Sequence, residues 1–278
     1  MTVAIVITIY DGVILASDSA TTMSRWDEAG ATKFVNVYNN AEKVFRLSSA
    51  MPVGAVTYGL GNIGPISAGT LFKEVRKRID GRSRDHQHWT LDPKDYSVKQ
   101  IADRVVDLIY DEHYGPLVTQ GQPDFMLGCK VAGYSAESLQ PEVWGIEFRG
   151  PVRPQPELVR AGGQCGISCD GEPEAISRLV FGYSQHTVEV LQAVGVAEPV
   201  IAQFIALAAE TFKTRLIEPP MPIADAADLA EFLVSLSSQF ARFRPGNATV
   251  GGQPQIATIT AEEGFKWKTA RRSSARQR

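Results

Sequence analysis

The run Val3-Ala4-Ile5-Val6-Ile7-Thr8-Ile9 constrains this chain most, because all but one of its residues are apolar and all but one are β-branched. A half-exposed strand alternates apolar and polar residues. A run without alternation predicts a strand buried on both faces. Asp11-Gly12 follows as a tight-turn pair, and Val13–Ser17 reads as the return strand. The chain therefore enters a sheet almost at once, without the basic start of a secretory signal.

Downstream, Lys43–Leu47 and Pro52–Tyr58 read as further strands, and Thr21–Asn40 as a loop with a short strand at Lys33–Val37. The spacing of Leu71, Val75 and Ile79 predicts a helix over Ile66–Ile79. A second helix is predicted over Ser97–Tyr110, with Ser97 as its N-cap. Gly81–Lys94 is polar and expected to be exposed. Strands resume at Phe125–Val131 and Val143–Phe148. Helices follow at Glu172–Phe181, Thr187–Leu216 (broken near Gly195–Pro199) and Ala224–Phe240. Strands at Gln255–Ile259 and Gly264–Trp267 close the order. Strands and helices in separate blocks argue for an α+β fold rather than a doubly wound parallel sheet. No repeat or Pro/Ser-rich linker divides the chain, so residues 1–268 are read as one domain. Residues 269–278 are read as a basic, disordered tail: from Lys266 to Arg278 there are six basic side chains and no acid.

A net charge of −3 argues against a general nucleic-acid or anionic-membrane surface. No apolar run approaches the roughly 20 residues that span a bilayer. Three cysteines, Cys129, Cys165 and Cys169, show no disulfide-framework spacing and suit a reducing cytoplasm. Gly59-Leu60-Gly61-Asn62-Ile63-Gly64 matches a bare dinucleotide pattern, but no ribose-binding acid lies at the required offset. Asp85-His86-Gln87-His88 lacks further ligands for a metal. No cofactor and no metal are therefore expected.

Thr2 is the residue with chemical promise. Removal of Met1 would leave a threonine whose hydroxyl is a nucleophile and whose α-amine, with a pKa of about 8, is a base near neutral pH. The hairpin brings Asp18 back toward Thr2, and Lys43 opens a neighbouring strand.

Thr2, Asp11-Gly12, Leu15-Ala16-Ser17-Asp18-Ser19, Ala41-Glu42-Lys43-Val44 and Tyr58-Gly59 together resemble the opening of the proteasome β-subunit family of N-terminal nucleophile hydrolases. The step from Thr2 to Asp18 is the family spacing. Val131-Ala132-Gly133-Tyr134 with Pro141-Glu142-Val143-Trp144, and Gly251-Gly252 before the strand at Gln255, look like later family segments. The resemblance implies a four-layer αββα sandwich and a threonine-type peptidase forming an acyl-enzyme on Thr2. Lys43 would lower the effective pKa of the hydroxyl, Asp18 would hold Lys43 protonated and oriented, and the Gly59 backbone N–H would serve the oxyanion. It also implies a homo-oligomeric ring in the cytoplasm acting on peptides or unfolded protein, with any ATPase partner unspecified. A small-amide hydrolase on the same fold and an inactive structural subunit are the alternatives.

This chain departs from the family pattern at three places. The span from Asp18 to Lys43 is longer. The family's catalytic-site serine falls on Cys165, with Ser168 as an alternative. The family's late acid and serine read Asn247 and Val250.

Overall fold

A computed structural model describes residues 2–26, 32–119, 126–245 and 250–268. Strand β1 (Val3–Ile9) turns at Tyr10-Asp11 into β2 (Gly12–Ser17). Strands β3 (Thr21–Trp26) and β4 (Thr32–Tyr38) form a ribbon of their own. Then come β5 (Val44–Arg46), β6 (Val53–Gly59) and a minimal hairpin of β7 (Asn62–Ile63) and β8 (Ile66–Ser67). Helices α1 (Ala68–Ile79) and α2 (Val98–Val106) follow, with α2 running on through a π-helical stretch, Asp107–Tyr114, into α3 (Gly115–Thr119). Four strands come next: β9 (Leu127–Gly133), β10 (Glu142–Phe148), β11 (Glu157–Arg160) and β12 (Gly166–Gly171). Helices α4 (Glu174–Val180), α5 (Thr187–Ala193), α6 (Glu198–Thr211) and α7 (Ile223–Phe243) lead to β13 (Gln255–Thr260) and β14 (Gly264–Trp267).

The fold is α+β. One antiparallel five-stranded sheet runs β12-β1-β2-β13-β14 and the other β11-β10-β9-β6-β5. The side chains of β1 alternate between two apolar clusters, which explains its unbroken apolar sequence. Val3, Ile5 and Ile7 join Ile176, Ala230, Leu233 and Val234 of α4 and α7. Ala4 and Val6 join Leu15, Val56, Ala132 and Val143 between the two sheets. A third cluster holds α1 and α2 on the other face of the second sheet, through Phe72, Val75, Ile101, Val105, Cys129 and Val131. Within it Phe45 stacks on Phe72 with centroids 4.7 Å apart.

Helix α1 begins at Ala68, two residues later than Ile66, with the cap Ser67, whose hydroxyl accepts the Thr70 N–H. Ser97 caps α2 as expected, in a full capping box with Gln100. Three differences from the sequence reading stand out. Strands β3 and β4 pair as a ribbon of their own, where a loop with one short strand was expected. Trp89 is buried inside the segment expected to be exposed, between the guanidiniums of Arg78 and Arg104 at 4.9 and 5.1 Å. Strands β11 and β12 are additional to the strands expected. Among the described residues no helix is long and apolar enough to cross a membrane. Residues 269–278, expected to be a disordered tail, lie outside the described residues.

Candidate functional site

Thr2 is buried at the end of β1. Its carbonyl accepts the Glu172 N–H at 2.8 Å, which extends the β1–β12 ladder by one step. The next amide, Val3 N–H, donates to Asp18 Oδ1 at 3.1 Å. Both polar groups of the Thr2–Val3 peptide are thus fixed. Gly171, in register with Val3, has φ +84°, and a Cβ there would fall 1.9 Å from the Thr2 carbonyl oxygen, so only glycine fits.

Asp18 is fully buried, and both carboxylate oxygens are used. Oδ1 also accepts from Lys43 Nζ at 2.8 Å, while Oδ2 accepts the Ala20 and Gly251 N–H groups, each at 3.1 Å. One oxygen therefore ties the amide after Thr2 to the Lys43 ammonium. The Gly251-Gly252 turn, legible in the sequence, is what brings the Gly251 amide to Asp18. Gly252 has φ +75° and passes too close to Ser19 Oγ and the Asn39 carbonyl for any side chain.

Lys43 is buried beside Asp18. Burial lowers its pKa below the usual lysine value, against the attraction of Asp18, which raises it. The charge on Lys43 is thus less secure than the ion pair alone implies. Gln255 fixes the start of the Lys43 strand: its Oε1 accepts the Lys43 and Val44 N–H groups at 2.9 and 3.2 Å, and its Nε2 donates to the Ala41 carbonyl at 2.7 Å. Sequence reasoning missed Gln255, since nothing local marks a glutamine that bonds a strand more than 200 residues away.

Thr2, Lys43 and Gly59 line one cleft of 520 Å³, walled by Tyr58, Leu60, Thr70 and Lys73 among others. Gly59 has φ +83°, and a Cβ there would meet the Met126 carbonyl oxygen at 2.3 Å. Near the mouth Glu42 pairs with Lys73 at 2.5 Å.

Two expected site residues stand apart. Ser168 lies opposite Val6 and accepts a hydrogen bond from Arg160 Nη2 at 3.0 Å. That register sets it four positions along β1 from Thr2, about 13 Å at the rise of a strand. Cys165 precedes β12 and is farther still. Residues Gly166–Gly171 form a strand, and its other end, Gly171-Glu172, is what reaches Thr2. Asn247 lies outside the described residues. Val250 is buried in the apolar cluster beneath the first sheet and offers no polar group.

Sequence reasoning also missed Lys130 and Asp170, an ion pair joining the two sheets. Tyr58, in the cleft wall, donates to Glu147 Oε1 at 3.2 Å. Burial, then the charges of Asp170 and Glu147, push its phenol well above the ordinary tyrosine value. Among the described residues no cluster of three or more His, Cys, Asp or Glu is arranged to hold a metal ion. No protein-family model matches this chain, and no curated protein matches it.

Proposed function

We propose that the chain is an N-terminal threonine hydrolase of the proteasome β-like kind, cleaving peptide or related amide bonds through Thr2 after Met1 is removed. The observation that carries this reading is Asp18 Oδ1, shared by the Val3 N–H and Lys43 Nζ, at a cleft that Thr2 and Gly59 also line. Three apolar clusters stacked helix–sheet, sheet–sheet and sheet–helix support a four-layer αββα sandwich of the N-terminal nucleophile type.

In the reaction, Thr2 Oγ attacks the amide carbonyl carbon while its proton passes through water to the Thr2 amine. Positive charge on Lys43 favours the developing alkoxide, and the Gly59 N–H stabilises the oxyanion. The C–N bond then breaks, the leaving nitrogen takes the proton, and an ester remains on Oγ. Water attacks the ester, the acid departs, and the hydroxyl is restored. The substrate is a peptide or an unfolded chain, and the working form is a homo-oligomeric ring in the cytoplasm.

A second reading, a catalytically silent subunit, is favoured by Val250, which cannot assist the amine. The test is intact mass and N-terminal sequencing, followed by assays on fluorogenic peptides and small amides. The expected result is a Thr2 N-terminus, hydrolysis by the wild type, measurable activity in Thr2→Ser and none in Thr2→Ala. Quantitative retention of Met1, or equal rates in wild type and Thr2→Ala, would overturn the proposal.

A further inference from the structure

We infer that the Asp170–Lys130 pair is a positioning device for the Thr2 α-amine, with Asp170 as its carboxylate partner and Lys130 as the opposing charge. This rests on the reading of Thr2 as a free N-terminus.

Strands β1 and β12 are antiparallel with Ala4 opposite Asp170. Residues directly opposite in such a ladder point to the same face. Ala4 belongs to the cluster between the sheets, so Asp170 points into that gap. Thr2, two residues before Ala4 and bonded onward to Glu172, presents its side chain to the same gap. Thr2 and Asp170 are diagonal neighbours, a relation that sets side chains about 7–8 Å apart at their bases, within reach of polar groups.

The second sheet supplies the cation. Lys130 of β9 lies opposite Val56 of β6, and Val56 and Ala132 face the gap. Lys130 therefore reaches across and donates to Asp170 Oδ2. It is 7% exposed. Among the described residues Oδ1 of Asp170 accepts no side-chain hydrogen bond, which leaves an acceptor for an ammonium group.

The ionisable groups on the elements around Thr2 include Asp18 after β2, Glu42 and Lys43 before and at β5, Tyr58 of β6, Lys130 of β9, Glu147 of β10 and Asp170 of β12; Arg46 of β5 is held by the Ser48 and Ser49 carbonyls, and Cys129, Glu142 and Cys169 alternate to the opposite faces of their sheets. Glu172, directly opposite Thr2, is bound by Arg244 at 2.7 Å, and Glu42 by Lys73. Two balanced pairs, Asp18–Lys43 and Asp170–Lys130, therefore flank the amine. A balanced pair leaves the amine near its ordinary pKa, whereas an unbalanced one moves it.

The experiment reads that imbalance directly. The pKa of the Thr2 amine is measured from the pH dependence of its reductive ¹³C-methylation, followed by NMR, in wild type, Asp170→Asn and Lys130→Met. Asp170→Asn leaves Lys130 unopposed and lowers the amine pKa; Lys130→Met leaves Asp170 unopposed and raises it. Each shift is expected to be about one pH unit, the scale of a charge within a few ångströms. The acid limb of kcat/KM moves with it, in opposite directions for the two variants. Should these variants not fold, Asp170→Ser and Lys130→Gln retain a polar group for the old partner and are read the same way. Unchanged amine pKa values, or shifts of the same sign in both variants, overturn the inference while leaving Thr2 as nucleophile. A retained Met1 instead overturns the reading of Thr2 on which the inference rests.

Discussion

Two pairs of helices in this molecule, α1 with α2 and α5 with α6, obey different rules. In the first pair α1 and α2 bury a sharply defined apolar face: Leu71, Phe72, Val75 and Ile79 from α1, and Ile101, Val105 and Val106 from α2, are at most 2% exposed. In the second pair α6 is apolar almost all round, yet only Ile201 and Ala208 are buried, and Val200 and Leu207 are more than half exposed. Helix α5 has no buried residue. The difference teaches that apolar content does not locate a core; the period of the pattern does. It also bears on the cleft, whose outer wall includes Ala68, Thr70 and Lys73 of the well-buried α1. One wall of the candidate site is thus carried by a helix whose apolar face is well buried.

The contrast can be broken by mutation. Phe72→Ala should cost about 3–5 kcal/mol, since it removes a fully buried ring stacked on Phe45 and leaves a cavity. Urea denaturation measures it, and a loss below about 1 kcal/mol would mean that the α1 side is not the rigid one. Ser97→Ala should cost about 1 kcal/mol, as the hydroxyl that accepts the Gln100 N–H is lost while the backbone half of the capping box at the α2 entry remains.

Acid titration sharpens the same comparison. Burial alone would raise the Asp80 pKa, but the Ser49 N–H and hydroxyl and the Ser48 hydroxyl hold it below the ordinary aspartate value. A carboxyl whose folded pKa is depressed adds stability that is present above its unfolded pKa, about 3.8, and lost as the pH falls through the folded value. Asp80, which caps the end of α1, should therefore steepen acid unfolding on this side. Asp80→Asn should flatten the fall in stability below about pH 4. Leu207→Ala should change stability by less than about 0.5 kcal/mol, the scale of an exposed site. A loss of 2 kcal/mol or more would show that α6 is covered in solution.

Much of this arrangement was legible because it is local. The unbroken β-branched run of β1 announces a strand with two buried faces, and Ser97 followed by Gln100 announces a helix start. Thr2, Asp18 and Lys43 were legible as a group because a hairpin and one further strand connect them. What escaped depends on register between distant strands. Nothing local marks Gly166–Gly171, which begins and ends in glycine, as a strand, yet it completes the first sheet beside β1. Because that register is invisible in the sequence, nothing there separates Ser168, four positions along β1 from Thr2, from Asp170, two positions nearer. Trp89 was missed because its neighbours are polar, while its burial comes from two arginines on other elements.

The Asp18 carboxylate gathers hydrogen bonds from residues 3, 20, 43 and 251, and Gln255 braces the Lys43 strand from still later in the chain. During synthesis, the amide of Gly251 and the amide side chain of Gln255 emerge some 200 residues after the threonine and the lysine. A growing chain therefore carries Thr2 and Lys43 without the framework that aligns them. The site becomes whole only when the last strands of the first sheet dock, which couples competence to completion of the fold.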